Sequence, residues 1–349
     1  MAIDENSLNQ FLGKAVGDLG AAMSSTLMLV GDKLGFYKAL AQASLTPAEL
    51  AQRTGTHERY VREWLGNQAA GGYVDYDPAS GRFGLNEIQA LCLADPDGPV
   101  DLPGAYEIVQ DAFHVLDRTL ENFRTGNGME WGEHHKCLFS GTERFFRAGY
   151  HAHLLGAWLP ALDGVVDKLQ RGAKVADVGC GHGASTILMA KAFPNSEFVG
   201  IDYHPESIDV ARQRASEVGA GNARFEAADA TGYGDRGFDL ICFFDCLHDM
   251  GDPEGVARHA FQALDPDGTC MLVEPFAGDC TEANLNPVGR VYYGASTQIC
   301  VPVSLARNGP ALGAQAGQAT LGGVMRAGGF TRFRRATETP FNLVLEARP

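Results

Sequence analysis

The chain has 349 residues, beyond the ~100–200 usual for one domain, so two domains are expected. With 45% apolar residues it can bury a sizeable core. Its 43 acidic and 28 basic side chains give a net charge of −15, which disfavours nucleic acid and anionic membrane as partners. No run reaches the ~18 apolar residues of a membrane span, and the start of the chain, with Asp4 and Glu5, has no cleavable signal pattern. Eight cysteines lie scattered without a Cys-x-x-Cys pair, which reads as reduced thiols in the cytoplasm. His134, His135 and Cys137 are not expected to hold a metal, because such close neighbours rarely converge on one ion.

Residues 8–40 form an apolar helical stretch carrying Gly13-x-x-x-Gly17 and Gly20, a spacing that permits close helix approach. It serves equally for packing within the chain or for a homodimer seam. Thr46-Pro-Ala-Glu49 is a capping box whose proline starts a helix. After Thr54-Gly55-Thr56 a second helix runs from 57 to about 70, stopped by Gly71-Gly72. A hairpin over 73–85 completes a winged helix. A DNA reader needs cations on the second helix and the wing. Here Arg59 and Arg62 are matched by Glu58 and Glu63, and the wing sets Asp75 and Asp77 against a single Arg82. Binding of nucleic acid is therefore not expected. Three regions follow: an N-terminal helix and winged helix (1–95), a helical linker (96–165) and a sheet domain (166–349).

From 174 onward, strands (174–178, 197–201, 223–227, 238–244, 269–274) alternate with helices (184–193, 205–218, 253–264). That alternation argues for a parallel sheet with helices on both faces. A long loop is expected over 275–316, then a helix near 320–327. Two last strands, 331–336 and 341–347, are too close in sequence for a parallel crossover and must be antiparallel.

The first of these strands runs into Asp177-Val-Gly179-Cys180-Gly181-His-Gly183, with glycine at every second position. Glycines at this density let the backbone pass close under a ligand. Nineteen residues on, Asp202 ends the next strand, where it can accept hydrogen bonds from a ribose diol. An acid beside the turn suits a ligand with an amino group and a sulfonium better than a pyrophosphate. The run closely resembles motif I of the class I S-adenosylmethionine (SAM) methyltransferases. Asp202 matches their ribose acid, and Asp229-Ala230 the pair that lines adenine. The resemblance implies an α/β, Rossmann-like seven-stranded sheet ending in an antiparallel hairpin, with SAM as cofactor. It places Asp177, Gly179, Cys180, Gly181, Gly183, Asp202, Tyr203, Asp229, Ala230, Phe244 and Asp245 around that cofactor.

Methyl transfer to a hydroxyl needs alignment and a base. His248 stands just past the fourth strand in Leu247-His248-Asp249, similar to the Leu-His-Asp of small-molecule O-methyltransferases, whose histidine is the base; Met250 replaces the tryptophan that follows there. Glu274, at the end of the fifth strand, shares that edge and could orient His248. Asp249 reads as a cap or loop acid, and Cys180 as a backbone contact. Trp131 and His134, in an aromatic and titratable loop, and Tyr293, in the long insertion, are the candidate substrate contacts. The resemblance implies a small-molecule acceptor and a dimer mediated by the winged helix. The competing reading is a winged-helix regulator whose SAM fold senses a ligand or has lost catalysis. Transfer to nitrogen or carbon also stays open.

Overall fold

The computed structural model describes residues 3–96 and 98–349. The chain divides into two compact units: the residues up to Phe113 with Lys136–Gly149, and His114–His135 with Tyr150–Pro349. The expected helical linker is thus shared between them. No helix among the described residues is long and apolar enough to cross a membrane.

In the first unit, Asp4 caps the helix Glu5–Lys33 by accepting from the Asn6 and Ser7 amides. Its N-terminal half exposes Phe11, Val16, Leu19 and Met23, whereas Met28 and Leu29 are buried. The expected single stretch breaks at Gly35, which adopts a φ of 71° before the helix Phe36–Gln42. The capping box of Thr46 and Glu49 starts Pro47–Thr54, and the helix Glu58–Ala70 follows. Strands β1 (Asp75–Asp77) and β2 (Arg82–Gly84) pair antiparallel as the wing, with Leu45 bridging Phe83. Trp64 centres the core. Its ring meets Phe36 at 4.9 Å and Tyr37 at 5.2 Å, edge-on, and its indole N–H donates to Leu27 O at 2.8 Å. On the second helix Arg59 pairs with Glu63 and Arg62 with Glu58, so its cations are neutralised in place. Arg144 binds Asp32 and Asp101 and reaches Glu107 at 3.5 Å, closing a half-buried network.

The second unit is built on a seven-stranded sheet. Its strands are β3 (Lys174–Val178), β4 (Glu197–Asp202), β5 (Ala223–Ala227), β6 (Phe238–Phe244), β7 (Leu264–Pro275), β8 (Arg332–Glu338) and β9 (Asn342–Arg348), in the order β5-β4-β3-β6-β7-β9-β8. The first five are parallel; β9 runs antiparallel to β7 and β8 to β9. Both faces of the middle strands are covered, hence their unbroken apolar runs. Val178, Ile201, Phe243, Leu272 and Leu345 share one buried cluster. The expected loop over 275–316 is corrected: it holds the helices Pro287–Gln298 and Cys300–Ala306. Asn286 caps the first by accepting from the Gly289 amide, with Pro287 as its first residue.

Candidate active site

Strand β3 ends at the crossing edge of the parallel sheet, where β4 and β6 diverge on either side of it, and the glycine turn opens there. Gly179 and Cys180 donate to Ile201 O at 2.8 and 3.1 Å, tying the turn to β4. Gly183 needs its positive φ of 77° to start the helix Ala184–Ala192, and a Cβ there would lie 2.7 Å from the Phe225 ring. Asp202 locks the other side. Its Oδ2 accepts from the Gly181 amide and its Oδ1 from the His204 amide, each at 2.9 Å. Burial pushes its carboxyl above the ordinary value.

A cavity of about 340 Å³ opens at this edge, within the range of small-molecule sites. Of the expected cofactor residues, Gly179, Asp202, Tyr203, Asp229 and Ala230 line it. Asp229 Oδ1 accepts from the Thr231 amide and hydroxyl at 2.9 and 2.7 Å, which holds its carboxyl below the usual range. Six other expected residues do not form the cavity wall: Asp177, Cys180, Gly181, Gly183, Phe244 and Asp245. Asp177 sits behind the turn, 1% exposed, with its Oδ2 accepting from the Ser185 and Thr186 hydroxyls at 2.6 Å. Burial pushes its carboxyl up to about 6. Burial likewise pushes the Cys180 thiol up, which disfavours the thiolate form. Phe244 packs on Tyr150 at 5.1 Å. Asp245 holds a φ of 51°, unusual outside glycine, and accepts from Asn342 Nδ2 at 3.3 Å.

His248 and Glu274 come together. His248 Nδ1 lies 2.5 Å from Glu274 Oε2, and Glu274 Oε1 accepts from the Leu247 amide at 3.0 Å. His248 Nε2 meets Cys300 Sγ at 3.3 Å. Burial opposes a charge on the imidazole, but Glu274 and Cys300 outweigh it, and the His248 pKa stands well above its ordinary value. His248 is 3% exposed and does not itself line the cavity; its neighbours Cys246, Asp249 and Met250 do. Asp249, expected as a cap or loop acid, is half-buried there, and burial pushes its carboxyl up to about 7. Asp252 caps the following helix, accepting from the Gly255 amide at 2.8 Å.

Trp131 and His134 pack at 6.2 Å between ring centroids in a loop tied to the helix Cys300–Ala306 through Met129 N–H to Pro302 O at 3.0 Å. Gly132 of that loop faces the His204 ring, beside the Asp202 corner. Tyr293 is 38% exposed and stands outside the cavity wall, as do Trp131 and His134, while Tyr292 turns inward and donates to Phe341 O at 2.6 Å. Sequence reasoning missed Arg307. Its guanidinium stacks 3.8 Å over the Tyr203 ring, pairs with Glu130 at 3.0 Å and reaches Asp229 at 3.6 Å. It follows the helix Cys300–Ala306, whose docking sets its place and leaves no local signal in the sequence.

Known proteins fit these observations. Residues 169–298 match the family described as a methyltransferase domain, and residues 22–95 match the Rv2258c-like winged HTH domain. The trans-aconitate 2-methyltransferase of Variovorax paradoxus is 35% identical over 109 residues, 31% of this chain. The match spans only 40% of that relative's own length. Two solved structures share the fold over the whole length. Human N-acetylserotonin methyltransferase, in complex with SAM, has a TM-score of 0.71 at 16% identity, covering 100% of this chain and 99% of that one. Mitomycin 7-O-methyltransferase has a TM-score of 0.68 at 20% identity, covering 99% and 100%. The chain therefore carries a methyltransferase domain of the class I SAM fold together with an N-terminal winged helix-turn-helix domain.

Proposed function

We propose that this protein is a SAM-dependent methyltransferase acting on a small-molecule acceptor at a hydroxyl oxygen, with His248 as the base. The observation that carries the reading is the His248–Glu274 pair standing beside the cavity that the glycine turn and Asp202 define. The residues present fit the cofactor. Asp202 spends one lone pair per oxygen on backbone amides and keeps others for a ribose diol. The buried Tyr203 hydroxyl, in the cavity wall, has no hydrogen-bond partner among the described residues. Asp229 and Ala230 border the adenine end, and Arg307 clamps Tyr203.

The cofactor supplies an electrophilic methyl group on a sulfonium. The chain supplies alignment and a proton acceptor. Glu274 holds the proton of His248 on Nδ1, which leaves the Nε2 lone pair to take the acceptor's hydroxyl proton. Cys300 Sγ stands against that nitrogen, so the acceptor hydroxyl must take the thiol's place. The loop bearing Trp131 and His134 runs past the His204 ring beside the Asp202 corner. Oxygen is favoured over nitrogen or carbon because a hydroxyl requires the base that the buried pair provides, and a structural neighbour is named a 7-O-methyltransferase.

The winged helix serves structure rather than DNA, because its second-helix cations are paired within the helix. The exposed Phe11, Val16, Leu19 and Met23 of the first helix meet a second copy of the chain, making a homodimer. Eight free thiols suit a reducing compartment, the cytoplasm. The test is incubation of the protein with SAM and a panel of phenols and hydroxy acids, read by mass spectrometry. A methylated product formed by the wild type and lost in His248→Ala supports the reading; equal turnover by the variant moves the acceptor to nitrogen or carbon.

A further inference from the structure

The methyl-transfer chemistry leaves Cys300 and Asp249 without a role, although both flank the same imidazole. We infer that His248 Nε2, Cys300 Sγ and the Asp249 carboxylate form a binding site for one thiophilic divalent cation of the zinc type. Their ligand atoms all lie within 4.8 Å of one another, and Nε2 and Sγ are only 3.3 Å apart. A tetrahedral ion with bonds of ~2.0–2.3 Å sets neighbouring ligand atoms roughly 3.3–3.7 Å apart. The nitrogen and sulfur already stand near that spacing, and a rotation of Asp249 brings in the third ligand.

Glu274 completes the arrangement. A metal-bound histidine almost always gives its other ring N–H to a carboxylate, and Glu274 Oε2 lies 2.5 Å from Nδ1, steadied by the Leu247 amide on its other oxygen. Imidazole, thiolate and a carboxylate favour a borderline-soft ion over calcium or magnesium. Access runs through the cavity that Asp249 lines. Three protein ligands leave the fourth position open on that side. Binding releases the Cys300 thiol proton and, from the protonated imidazole, the Nε2 proton to solvent, and it occupies the Nε2 lone pair, so the loaded protein has no free base at His248. The inference goes beyond the proposed methyl transfer and stands whether or not that transfer takes place at oxygen.

Cobalt(II), a spectroscopic stand-in for zinc, tests it. Titration of the purified full-length protein is expected to give a near-ultraviolet thiolate-to-cobalt band and visible bands of tetrahedral intensity, displaced by zinc. Cys300→Ser, checked as folded by its melting transition, should bind one fewer thiolate-ligated cobalt per chain. Should that variant not fold, the wild type still decides: zinc is expected to slow alkylation of Cys300, mapped by peptide mass spectrometry, at least tenfold. A cobalt spectrum and stoichiometry unchanged in folded Cys300→Ser, or alkylation of Cys300 unaffected by zinc, would overturn the site.

Discussion

His248 Nδ1 and Glu274 Oε2 lie 2.5 Å apart at the carboxyl edge of the parallel sheet, with 3% and 1% of the two residues exposed. Twenty-six residues separate them in the chain, and the adjacency of β6 and β7 brings them together. The pair holds the imidazole pKa well above its usual value. A base must be neutral to act, so kcat should rise with pH through a limb above the ordinary histidine value of ~6.5. Removing the anion with Glu274→Gln should move that limb toward lower pH and lower the plateau by about 10²-fold. The kcat–pH profiles of the two proteins decide it; coincident limbs would dissociate Glu274 from the histidine. For stability the sign is also fixed. A histidine raised in the folded state contributes fully below its unfolded pKa, and that contribution is lost as pH rises through the folded value.

Substitutions in the glycine turn separate backbone strain from steric conflict. Gly183→Ala meets both, at a φ of 77° and with a Cβ 2.7 Å from Phe225, and should cost about 3 kcal/mol in urea denaturation. Gly181→Ala meets a φ of 51° but open space, and should cost only about 1 kcal/mol. Equal losses would mean that Phe225 yields freely.

The Arg144 network in the first unit makes a stability prediction. Its guanidinium answers Asp32 and Asp101 with four hydrogen bonds, and Glu107 lies close behind. Arg144→Ala leaves buried carboxylates uncompensated and should cost about 3–5 kcal/mol at neutral pH. A loss under 1 kcal/mol at neutral pH would show that water replaces the arginine.

The first helix predicts self-association. Phe11→Glu combined with Leu19→Glu places charges on its exposed apolar face. The wild type should run as a dimer and the double variant as a monomer in light scattering, with unchanged melting of the winged-helix core. A monomeric wild type would remove the second copy from the account. In the same preparation, a mobility shift at low salt should show no DNA binding, because Arg59 and Arg62 are already paired.

The sheet was legible because parallel strands buried on both faces write themselves as apolar runs, and because the acids at Asp202 and Asp229 fall at strand ends. The wing was legible from the Thr46 capping box and the paired glycines. The helices Pro287–Gln298 and Cys300–Ala306 were not, since Gly289, Gly294 and Pro302 lower helix propensity while tertiary burial of Tyr292, Ser296 and Val303 restores the helices. Arg307 over Tyr203 and Cys300 against His248 depend on where those helices dock, and no local spacing encodes that. The retreat of Asp177 behind the turn has the same origin. Ser185 and Thr186 on the following helix capture its carboxylate, a contact fixed by the helix's start rather than by the motif's spacing.

The most direct test of the central claim is calorimetric titration of SAM, and of its demethylated product, into the wild type and Asp202→Ala. The account predicts micromolar binding of both to the wild type at one site per chain. It predicts a loss of at least a hundredfold in the variant, whose glycine turn no longer has the carboxylate that accepts from the Gly181 and His204 amides. No binding by folded wild-type protein, or equal binding by the variant, would contradict it.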